Sequence, residues 1–360
     1  MCKTRMKGKY QLAVIRGDGV GPEVMKECLK VLKALEQVTE LSFKFIEAPA
    51  GAQSYREEGT ALPEETLKIC GEADGIIKAP VGTPDLPPGI VEGAVIMGLR
   101  QRLDLYVNLR PIKLYPELNE ASPLKNENIL KGVDFVIVRE NTESLYKGHG
   151  GISQDVATDV MIYTRHGVER ILRYAFDLAM KRREKVTSVD KANIIYCSRF
   201  WRACFEEMAK RYPQVESQSV YVDAFSQWII RDPGRFDVVV VDNMFGDIVS
   251  DEAGEIVGSL GMLYSVNYNP ETGCCMAEPG HGSAPDIAGK NLVNPIAMIL
   301  SAKLMLDCLQ EKEAADIIGQ AVETVISKGY RTVDIAPTGW RYVGTEEMGD
   351  AIVKEVQSLQ

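Results

Sequence analysis

Three aspartates in the sequence have the residue type and spacing of a divalent-metal site. Asp247 and Asp251 lie four residues apart in NMFGDIVSDEA, so a helix there places both carboxylates on one face. Asp223 ends the apolar run SVYVD, which predicts a strand whose carboxyl end lies where α/β proteins bind ligands. Carboxylate oxygens are ligands that Mg²⁺ and Mn²⁺ prefer. A solvated acidic pair near a helix N-terminus would explain Asp247 and Asp251 equally well.

Three arginines could bind the carboxylates of a small anionic substrate. Arg110 and Arg139 close the predicted strands LYVNLR and VDFVIVR, and Arg100 lies in a predicted helix over residues 90–101. A guanidinium in such a position can bind a carboxylate through two parallel hydrogen bonds. Any one of these arginines could be an ordinary surface charge, but three at element ends favour a binding role.

Tyr146 and Lys191 could transfer protons. Lys191 follows the predicted strand VTSVD, and a lysine close to a metal ion and arginines is suited to proton transfer. Tyr146 follows RENTESL and can donate the proton of its phenol. A surface lysine at a strand end and a half-buried core tyrosine remain alternatives, because residue periodicity does not separate them from catalytic groups.

Two glycine-rich segments could approach a nucleotide. GDGVGPEV follows a strand, but Pro22 stands where G-x-G-x-x-G needs its last glycine, so this segment predicts a tight strand-to-helix turn. HGSAPDIAG begins at His281, and its small residues let backbone approach a ligand closely. Asp286 within it could accept hydrogen bonds from ribose hydroxyls. An ordinary surface loop is the alternative interpretation.

These residues must be positioned by elements that alternate along the chain between apolar runs and helical periods, a pattern typical of α/β proteins. The predicted strands cover 10–16, 43–47, 75–79, 105–109, 133–139, 186–190, 219–222 and 237–241. The predicted helices cover 160–181, 200–211, 246–257, 293–310, 312–328 and 346–359. The predicted loops cover 83–89, 115–128 and 267–289.

Length and charge limit the class of protein. The 360 residues can form two domains, and the net charge of -10 argues against a nucleic-acid partner held by phosphate contacts. No apolar run approaches the roughly 20 residues of a membrane span, and no secretory signal is evident. The eight cysteines lack metal-binding spacing, which predicts reduced thiols and a cytoplasmic location. A small-molecule substrate is the expected partner.

The order of the motifs resembles that of one enzyme family. GDGVGPEV, LRQRLDLYVNLRP, VIVRENTESLY, VDKANI, NMFGDIVSDEA, HGSAPDIAGK and NLVNP follow the order seen in the β-decarboxylating dehydrogenases, the isocitrate/isopropylmalate dehydrogenase family. The resemblance covers nearly the whole chain. It implies two α/β domains with parallel or mixed sheets flanked by helices, distinct from a Rossmann fold. Residues 1–105 with 258–360 would form the cofactor-side domain, and 106–257 the domain with substrate, metal and dimer-interface residues.

The resemblance also implies roles for the candidate residues in a homodimer with shared active sites. Arg100, Arg110 and Arg139 would bind the malate carboxylates, and Tyr146 would protonate the enolate left by decarboxylation. Lys191 and Asp223 would come from the partner subunit, Lys191 to remove the hydroxyl proton. The residues that would bind Mg²⁺ or Mn²⁺ are Asp223, Asp247 and Asp251, the first also contacting substrate. The residues that would bind the nucleotide are His281, Gly282, Ser283, Ala284, Asp286, Ile287 and Asn294.

The same resemblance bears on cofactor and substrate. NAD is expected, because Asp286 would repel the 2′-phosphate of NADP. Ile96 and Met97, on the helix before Arg100, would contact an alkyl substituent, and burying it would contribute about 2 kcal/mol. That favours oxidation of 3-isopropylmalate to 2-oxoisocaproate, a step of leucine biosynthesis, over isocitrate or homoisocitrate.

The sequence departs from the pattern of isopropylmalate enzymes at two places, and these departures leave other activities of the family possible. Gly93 stands where many isopropylmalate enzymes have Glu, and KAPVGTPDLPPG resembles a turn of tartrate/D-malate enzymes. A tartrate/D-malate dehydrogenase is therefore the second hypothesis for the activity. The non-enzyme alternative is a regulatory subunit of such a dehydrogenase.

Overall fold

The computed structural model describes residues 8–359, and the chain divides into two compact units. The first unit comprises the chain up to Leu103 and from Ser259 onward, and the second comprises Asp104–Gly258. The roles assigned above to the two halves stay predictions. The strands are β1 (Lys9–Ile15), β2 (Ser42–Glu47), β3 (Gly75–Lys78), β4 (Val107–Lys113), β5 (Asp134–Glu140), β6 (Gly150–Ser153), β7 (Val156–Asp159), β8 (Lys185–Asp190), β9 (Glu216–Tyr221), β10 (Val238–Val241), β11 (Tyr264–Asn269) and β12 (Cys274–Pro279).

The helices follow the same alternating order along the chain. They are α1 (Gly21–Val38), α2 (Ala52–Glu58), α3 (Glu64–Glu72), α4 (Ile90–Glu92), α5 (Gly98–Arg102), α6 (Arg165–Ala179), α7 (Tyr196–Ala209), α8 (Val222–Arg231), α9 (Asn243–Ile256), α10 (Ile296–Cys308), α11 (Lys312–Ser327) and α12 (Thr345–Ser358). A π-helical turn over Gly93–Met97 joins α4 to α5. Among residues 8–359, no helix combines the length and apolar character that a bilayer span requires.

The first unit is built on a mostly parallel set of strands in the order β2-β1-β3-β12-β11. β1 runs parallel to β2 and β3, β12 runs parallel to β3, and β11 and β12 form an antiparallel hairpin. The second half of β1 is buried on both faces, as expected for a central parallel strand. α10 is almost wholly buried against β11 and β12, and α1 packs against α12. Each fully buried Leu or Ile in this core contributes roughly 1.5–3 kcal/mol.

The second unit has its strands in the order β4-β5-β10-β8-β9, with β4 and β5 antiparallel and the rest parallel. α6 packs on β5, β10 and β8, and α9 packs on β5. Arg139 at the end of β5 pairs with Asn108 of β4 and Val241 of β10. α9 follows β10 after one residue, so its first turns lie at the same sheet edge as Arg139. A separate hairpin of β6 and β7 is exposed along its whole length.

The predicted fold class is confirmed, but two predicted strand ends are wrong. Arg110 does not close its strand, because β4 continues through Pro111 to Lys113. An antiparallel ladder uses the N–H of alternate residues toward one neighbour, so a proline can be accommodated within it. Asp223 does not end a strand either. It is the second residue of α8, where the positive end of the helix dipole favours a carboxylate.

Three other predicted elements also differ from the structure. The predicted loop 267–289 contains most of the β11–β12 hairpin, whose turn is held by the Asn269 side chain and by Gly273 at φ +77°. The predicted helix 160–181 begins only at Arg165, because Thr164 caps its N-terminus and β7 precedes it. The predicted helix 90–101 is interrupted by the π-helical turn, which Gly93 opens and Gly98 follows, and glycine weakens α-helical winding.

Candidate active site

Asp247 and Asp251 lie on α9 beside two buried arginines of the same unit. Asp242 caps α9 by accepting a 2.8 Å hydrogen bond from the backbone N–H of Phe245, which fixes the start of the helix directly after β10. The side chains of Asp247 and Asp251 are 38% and 52% exposed. Both carboxylates are therefore partly exposed to solvent, while Arg110 and Arg139 on the sheet contact them from the core side.

Arg139 is fixed in place by three contacts. Its Nε and Nη2 donate to Oδ1 of Asn243 at 3.2 and 2.8 Å, and its Nη1 donates to Asp247. Its side chain is 1% exposed. Gly246 makes this burial possible, because a Cβ there would lie 2.7 Å from Cγ of Arg139.

Arg110 meets the same helix from β4. Its Nε donates to Oδ1 of Asn108 at 2.8 Å, and its Nη1 donates to Oγ of Ser250 at 2.6 Å and to Oδ1 of Asp251 at 3.1 Å. Its Nη2 lies 3.7 Å from Oδ1 of Asp247. The two guanidinium groups thus converge on the two aspartates, and their orientation is preset by neutral side chains.

Tyr146 joins this cluster from the turn Leu145–Lys147. Its hydroxyl donates a 3.1 Å hydrogen bond to Oδ2 of Asp247, and the guanidinium carbon of Arg139 lies 5.6 Å from its ring centre. Ser144, just before it, has a φ of +77°, an uncommon backbone conformation for a residue with a side chain. The structure therefore brings together five predicted residues: Arg110, Arg139, Tyr146, Asp247 and Asp251.

The electrostatics of this cluster suit a divalent cation. Burial raises the pKa of Asp251, the charge of Arg110 opposes that rise, and the charge of Asp247 adds to it. Two carboxylates that repel each other at a half-exposed surface offer hard oxygen ligands, so Mg²⁺ or Mn²⁺ fits their chemistry. Within residues 8–359, no three or more acidic, histidine or cysteine side chains form a set that could hold a metal. In the described part of the chain, Asp247 and Asp251 are therefore a pair and not part of a larger ligand set.

Lys191 and Asp223 form a pair of their own in the second unit. Nζ of Lys191 donates a 2.9 Å hydrogen bond to Oδ1 of Asp223, and this bond holds the pKa of Asp223 below its ordinary value. The Asp223 side chain is 59% exposed. Among residues 8–359, Asp223 does not join Asp247 and Asp251 in a metal-binding set.

Arg100 lies in the first unit, in a buried ionic cluster that the sequence did not reveal. Its Nη2 donates to Oε2 of Glu278 at 3.3 Å, and Nζ of Lys78 lies 3.0 Å from Oε1 of the same carboxylate. Burial alone would raise the pKa of Glu278, but the charges of Lys78 and Arg100 outweigh it and lower the pKa to about 2. Nε of Arg100 is buried and has no hydrogen-bond partner among the described residues. That atom is available to a bound anion.

Ile96 and Met97 belong to the π-helical turn before Arg100. Both are partly exposed, whereas Val95 and Leu99 on either side are buried. The wider winding thus leaves two consecutive apolar side chains at the surface of the first unit. π-helical turns of this kind occur often at functional sites.

The predicted nucleotide segment follows β12 and is braced by the GDGVG turn. The backbone N–H of Val20 donates a 2.8 Å hydrogen bond to the carbonyl of Ser283, and a side chain at Gly19 would clash with that carbonyl. Gly17 and Gly19 both have positive φ, so the turn is tight as predicted. Ala284 has a φ of +36°, which marks a constrained backbone.

The side chains of this segment leave groups that a ligand could meet. Nε2 of His281 is buried without a hydrogen-bond partner among the described residues, and burial lowers the pKa of this imidazole. Asp286 and Gly282 are exposed, and Ile287 is half-buried. Asn294 is buried and its Nδ2 donates a 3.2 Å hydrogen bond to Oδ2 of Asp334. An unpartnered imidazole nitrogen and exposed backbone fit a nucleotide.

Sequence reasoning missed the residues that orient the predicted ones. Asn108, Asn243 and Ser250 hold the two arginines of the second unit, and Lys78 and Glu278 hold Arg100. A charged residue that ends a fully apolar run, such as the lysine of GIIK, was the one available signal. The partner of that lysine is 200 residues away in sequence, which no local pattern indicates.

Comparisons with known proteins identify the family of the chain. Residues 11–352 match the family described as isocitrate/isopropylmalate dehydrogenase. A 3-isopropylmalate dehydrogenase of Thermotoga maritima is 47% identical, covering 97% of this chain and 99% of the relative. Another from Priestia megaterium is also 47% identical, covering 95% of this chain and 94% of the relative.

Solved structures give the same family. The isocitrate dehydrogenase of Methylococcus capsulatus superposes with a TM-score of 0.87 at 37% identity, covering 97% of this chain and 99% of that one. A β-decarboxylating dehydrogenase of Thermococcus kodakarensis gives 0.79 at 36% identity, covering 97% of each chain. Fold and matches together define an oxidoreductase, a decarboxylating dehydrogenase. The chain belongs to the isocitrate/isopropylmalate dehydrogenase family, as the motif order predicted.

Proposed function

We propose that the protein oxidises and decarboxylates 3-isopropylmalate with NAD and a divalent cation, Mg²⁺ or Mn²⁺, to give 2-oxoisocaproate in leucine biosynthesis. The observation that carries this proposal is the convergence of Arg110, Arg139 and Tyr146 on the aspartates of α9. These residues bring two arginines that can bind an anion, two carboxylates that suit a metal ion and a proton donor close together. Relatives named 3-isopropylmalate dehydrogenase support the substrate.

Substrate binding follows from the arginines. Arg110 and Arg139 are nearly fully buried and oriented by neutral partners, and each also donates to a half-exposed carboxylate of α9. A malate carboxylate can accept paired hydrogen bonds from such groups. Arg100 offers its unpartnered Nε to a carboxylate in the same way. Because these side chains are held before substrate arrives, little entropy is lost on binding.

The reaction needs one proton removed and one delivered. As the substrate alcohol is oxidised, the hydrogen on its carbinol carbon leaves as hydride, and the O–H proton passes to the Lys191 side chain in its unprotonated amine form. The bond to the departing carboxylate then breaks, CO₂ leaves, and Tyr146 delivers a proton to the carbon that held it. Proton transfer by a positioned side chain contributes typically 10²–10⁴-fold to rate.

Two cofactors complete the chemistry. When bound, the nicotinamide nucleotide supplies the hydride acceptor, and the divalent cation supplies charge that polarises the hydroxyl and then the ketone oxygen. Asp247 and Asp251 would hold the cation, and the segment 281–294 the nucleotide. Asp286, exposed within that segment, favours NAD, because its charge would repel a 2′-phosphate. Asp286→Lys should raise kcat/KM for NADP relative to NAD, and an unchanged ratio would contradict the role given to Asp286.

A second copy of the chain would complete the site. Lys191 and Asp223 pair with each other, and within residues 8–359 no metal-binding set joins Asp223 to α9. The second unit also exposes large apolar side chains, including Ile152 of β6 at 85% and Ile248 of α9 at 61%. Ile248 is three residues before Asp251 on α9, so a partner that covered Ile248 would lie beside that aspartate. We therefore propose a homodimer in which each site receives Lys191 and Asp223 from the other subunit.

The apolar pair Ile96 and Met97 favours an alkyl substituent on the substrate, because both side chains are partly exposed beside Arg100. Isocitrate is the second candidate. It is favoured by the Methylococcus capsulatus structure and by Lys78, a further buried cation next to Arg100. The Glu278 carboxylate already neutralises one of these charges, so no extra cation is left unpaired for a third substrate carboxylate.

Product analysis tests the proposed chemistry directly. With 3-isopropylmalate, NAD and Mn²⁺, we expect NADH, CO₂ and 2-oxoisocaproate in equal amounts, and no turnover once a chelator removes the metal. NADH formed without CO₂ would show simple oxidation and would contradict the roles of Tyr146 and the α9 aspartates.

A further inference from the structure

A closed surface loop over residues 331–343 carries side chains that the proposed site does not use. The backbone N–H of Val343 donates a 2.8 Å hydrogen bond to the carbonyl of Arg331, which joins the two ends of the loop. Arg331 is buried and its Nη1 donates to the carbonyls of Ile326 and Tyr330. Ile335 is fully buried and anchors the middle of the loop. Such compact loops with joined ends are frequently functional.

The tip of the loop holds an exposed aromatic side chain in a defined turn. The backbone N–H of Trp340 donates a 3.0 Å hydrogen bond to the carbonyl of Pro337, and Gly339 has a φ of +85°, as a type II turn requires. Trp340 is 55% exposed and Tyr342 is 49% exposed, with exposed Arg341 between them. In the part of the chain that the structure describes, none of these three side chains makes a hydrogen bond, ion pair or ring contact.

The loop is tied to the predicted nucleotide segment at both ends. On one side Asp334 accepts a 3.2 Å hydrogen bond from Asn294. On the other, the backbone N–H of Thr345 donates to the carbonyl of Asn291 at 3.2 Å, and its Oγ1 donates to the carbonyl of Val293 at 2.6 Å. Trp340 is five residues from Thr345, a chain length of at most about 18 Å.

These contacts place the loop against residues 291–294 of the predicted nucleotide segment. Residues 291–294 follow Asp286, which is the group proposed to meet the ribose of the adenosine half. The loop thus contacts the part of the segment that lies beyond Asp286 in the sequence, and we infer that its exposed aromatic side chains are on the side of the proposed adenosine half. An aromatic face can stack on adenine, and such stacking gives considerable binding energy at low entropic cost. The cation of Arg341 adds attraction for an anionic dinucleotide.

We propose that Trp340 stacks on the adenine ring of the dinucleotide and acts as an affinity-determining residue for the cofactor. This inference rests on the proposed binding of the nucleotide to the segment 281–294. Trp340 touches only the adenosine half, so it contributes to cofactor binding and not to hydride transfer.

Fragments of the cofactor separate the two halves of the site. For Trp340→Ala we expect about tenfold weaker binding of both NAD and ADP-ribose by calorimetry, with nicotinamide mononucleotide unchanged. Trp340→Phe should restore most of the affinity, because a phenyl ring can still stack. The KM for NAD should rise while kcat at saturating NAD stays within twofold, and the thermal unfolding midpoint should not move. A merely structural role would shift that midpoint and affect both fragments.

Tryptophan fluorescence gives a second readout, since Trp201 is buried and Trp228 is the remaining partly exposed tryptophan. NAD should quench emission in the wild type and in Trp228→Phe, but not in Trp340→Phe. Trp340→Ala binding NAD and ADP-ribose within twofold of wild type would overturn this inference and leave the proposed function intact. A wild type that binds neither NAD nor NADP would overturn the proposed nucleotide site as well.

Discussion

The hydroxyl of Tyr146 donates a 3.1 Å hydrogen bond to Oδ2 of Asp247, so the candidate proton donor is hydrogen-bonded to a candidate metal ligand. The other oxygen of Asp247 accepts from Arg139. The proposed proton donor and a proposed anion-binding arginine therefore both contact a single side chain of α9.

Removal of the phenol should stop proton delivery and leave binding intact. Tyr146→Phe keeps the ring beneath Arg139 but loses the hydroxyl, and we expect kcat to fall about a hundredfold or more. The KM for substrate should change only a few-fold, since the arginines are untouched. Steady-state kinetics measure both values. A kcat within threefold of wild type would exclude Tyr146 as the proton donor.

Loss of a carboxylate on α9 should weaken metal binding. Asp251→Asn removes one charged oxygen ligand, and we expect the Kd for Mn²⁺, measured by electron paramagnetic resonance, to rise at least about tenfold. Glu252→Gln is the matched control, because Glu252 is the next residue on the same helix but points about 100° away from it. Equal effects of the two substitutions would indicate only a loss of general negative charge.

Mixed dimers test whether the site is shared. Subunits carrying Lys191→Met or Tyr146→Phe should each form inactive homodimers. When both are co-expressed, half of the dimers should be mixed, and each of these has one intact site, so about a quarter of wild-type activity should return. If Lys191 and Tyr146 acted within the same chain, co-expression would restore nothing.

Asp242 should make stability depend on pH. Burial raises its pKa from 3.8 to about 7 while it caps α9, so between these values the folded state holds a proton that the unfolded state releases. The contribution of Asp242 to the free energy of unfolding should therefore fall as pH rises from 4 to 7. Asp242→Asn keeps the cap but cannot ionise, so its stability relative to wild type should increase over this range by a few kcal/mol. Urea unfolding at fixed protein concentration measures the difference, and parallel curves for the two proteins would contradict the prediction.

The sequence predicted those parts of the site that local patterns encode. The i, i+4 spacing of Asp247 and Asp251 placed both on one helical face, and both do face the arginines. Pro22 stands in place of the last glycine of G-x-G-x-x-G, which predicted a tight turn at Gly17, and the positive φ of Gly17 and Gly19 confirms that turn. The family was evident from the order of the motifs, because each motif is a short run of chemically constrained residues.

Other features depend on tertiary packing and had no local signal. Asp223 stands at a boundary where strand and helix propensities are similar, and only the fold decides that α8 starts before it. The π-helical turn at Ile96 and Met97 differs from an α-helix by one residue of winding, which residue periodicity does not resolve. The Lys78–Glu278 pair joins β3 to β12, and a sequence read in order does not reveal such a contact.

We propose that the site selects a 3-alkylmalate for oxidative decarboxylation. The most direct test is kcat/KM with NAD and Mn²⁺ for 3-isopropylmalate, isocitrate, homoisocitrate, D-malate and tartrate under one set of conditions. We predict that 3-isopropylmalate exceeds every other substrate by at least about tenfold, a difference near 1.4 kcal/mol. Isocitrate exceeding 3-isopropylmalate by the same factor would contradict the role of Ile96 and Met97.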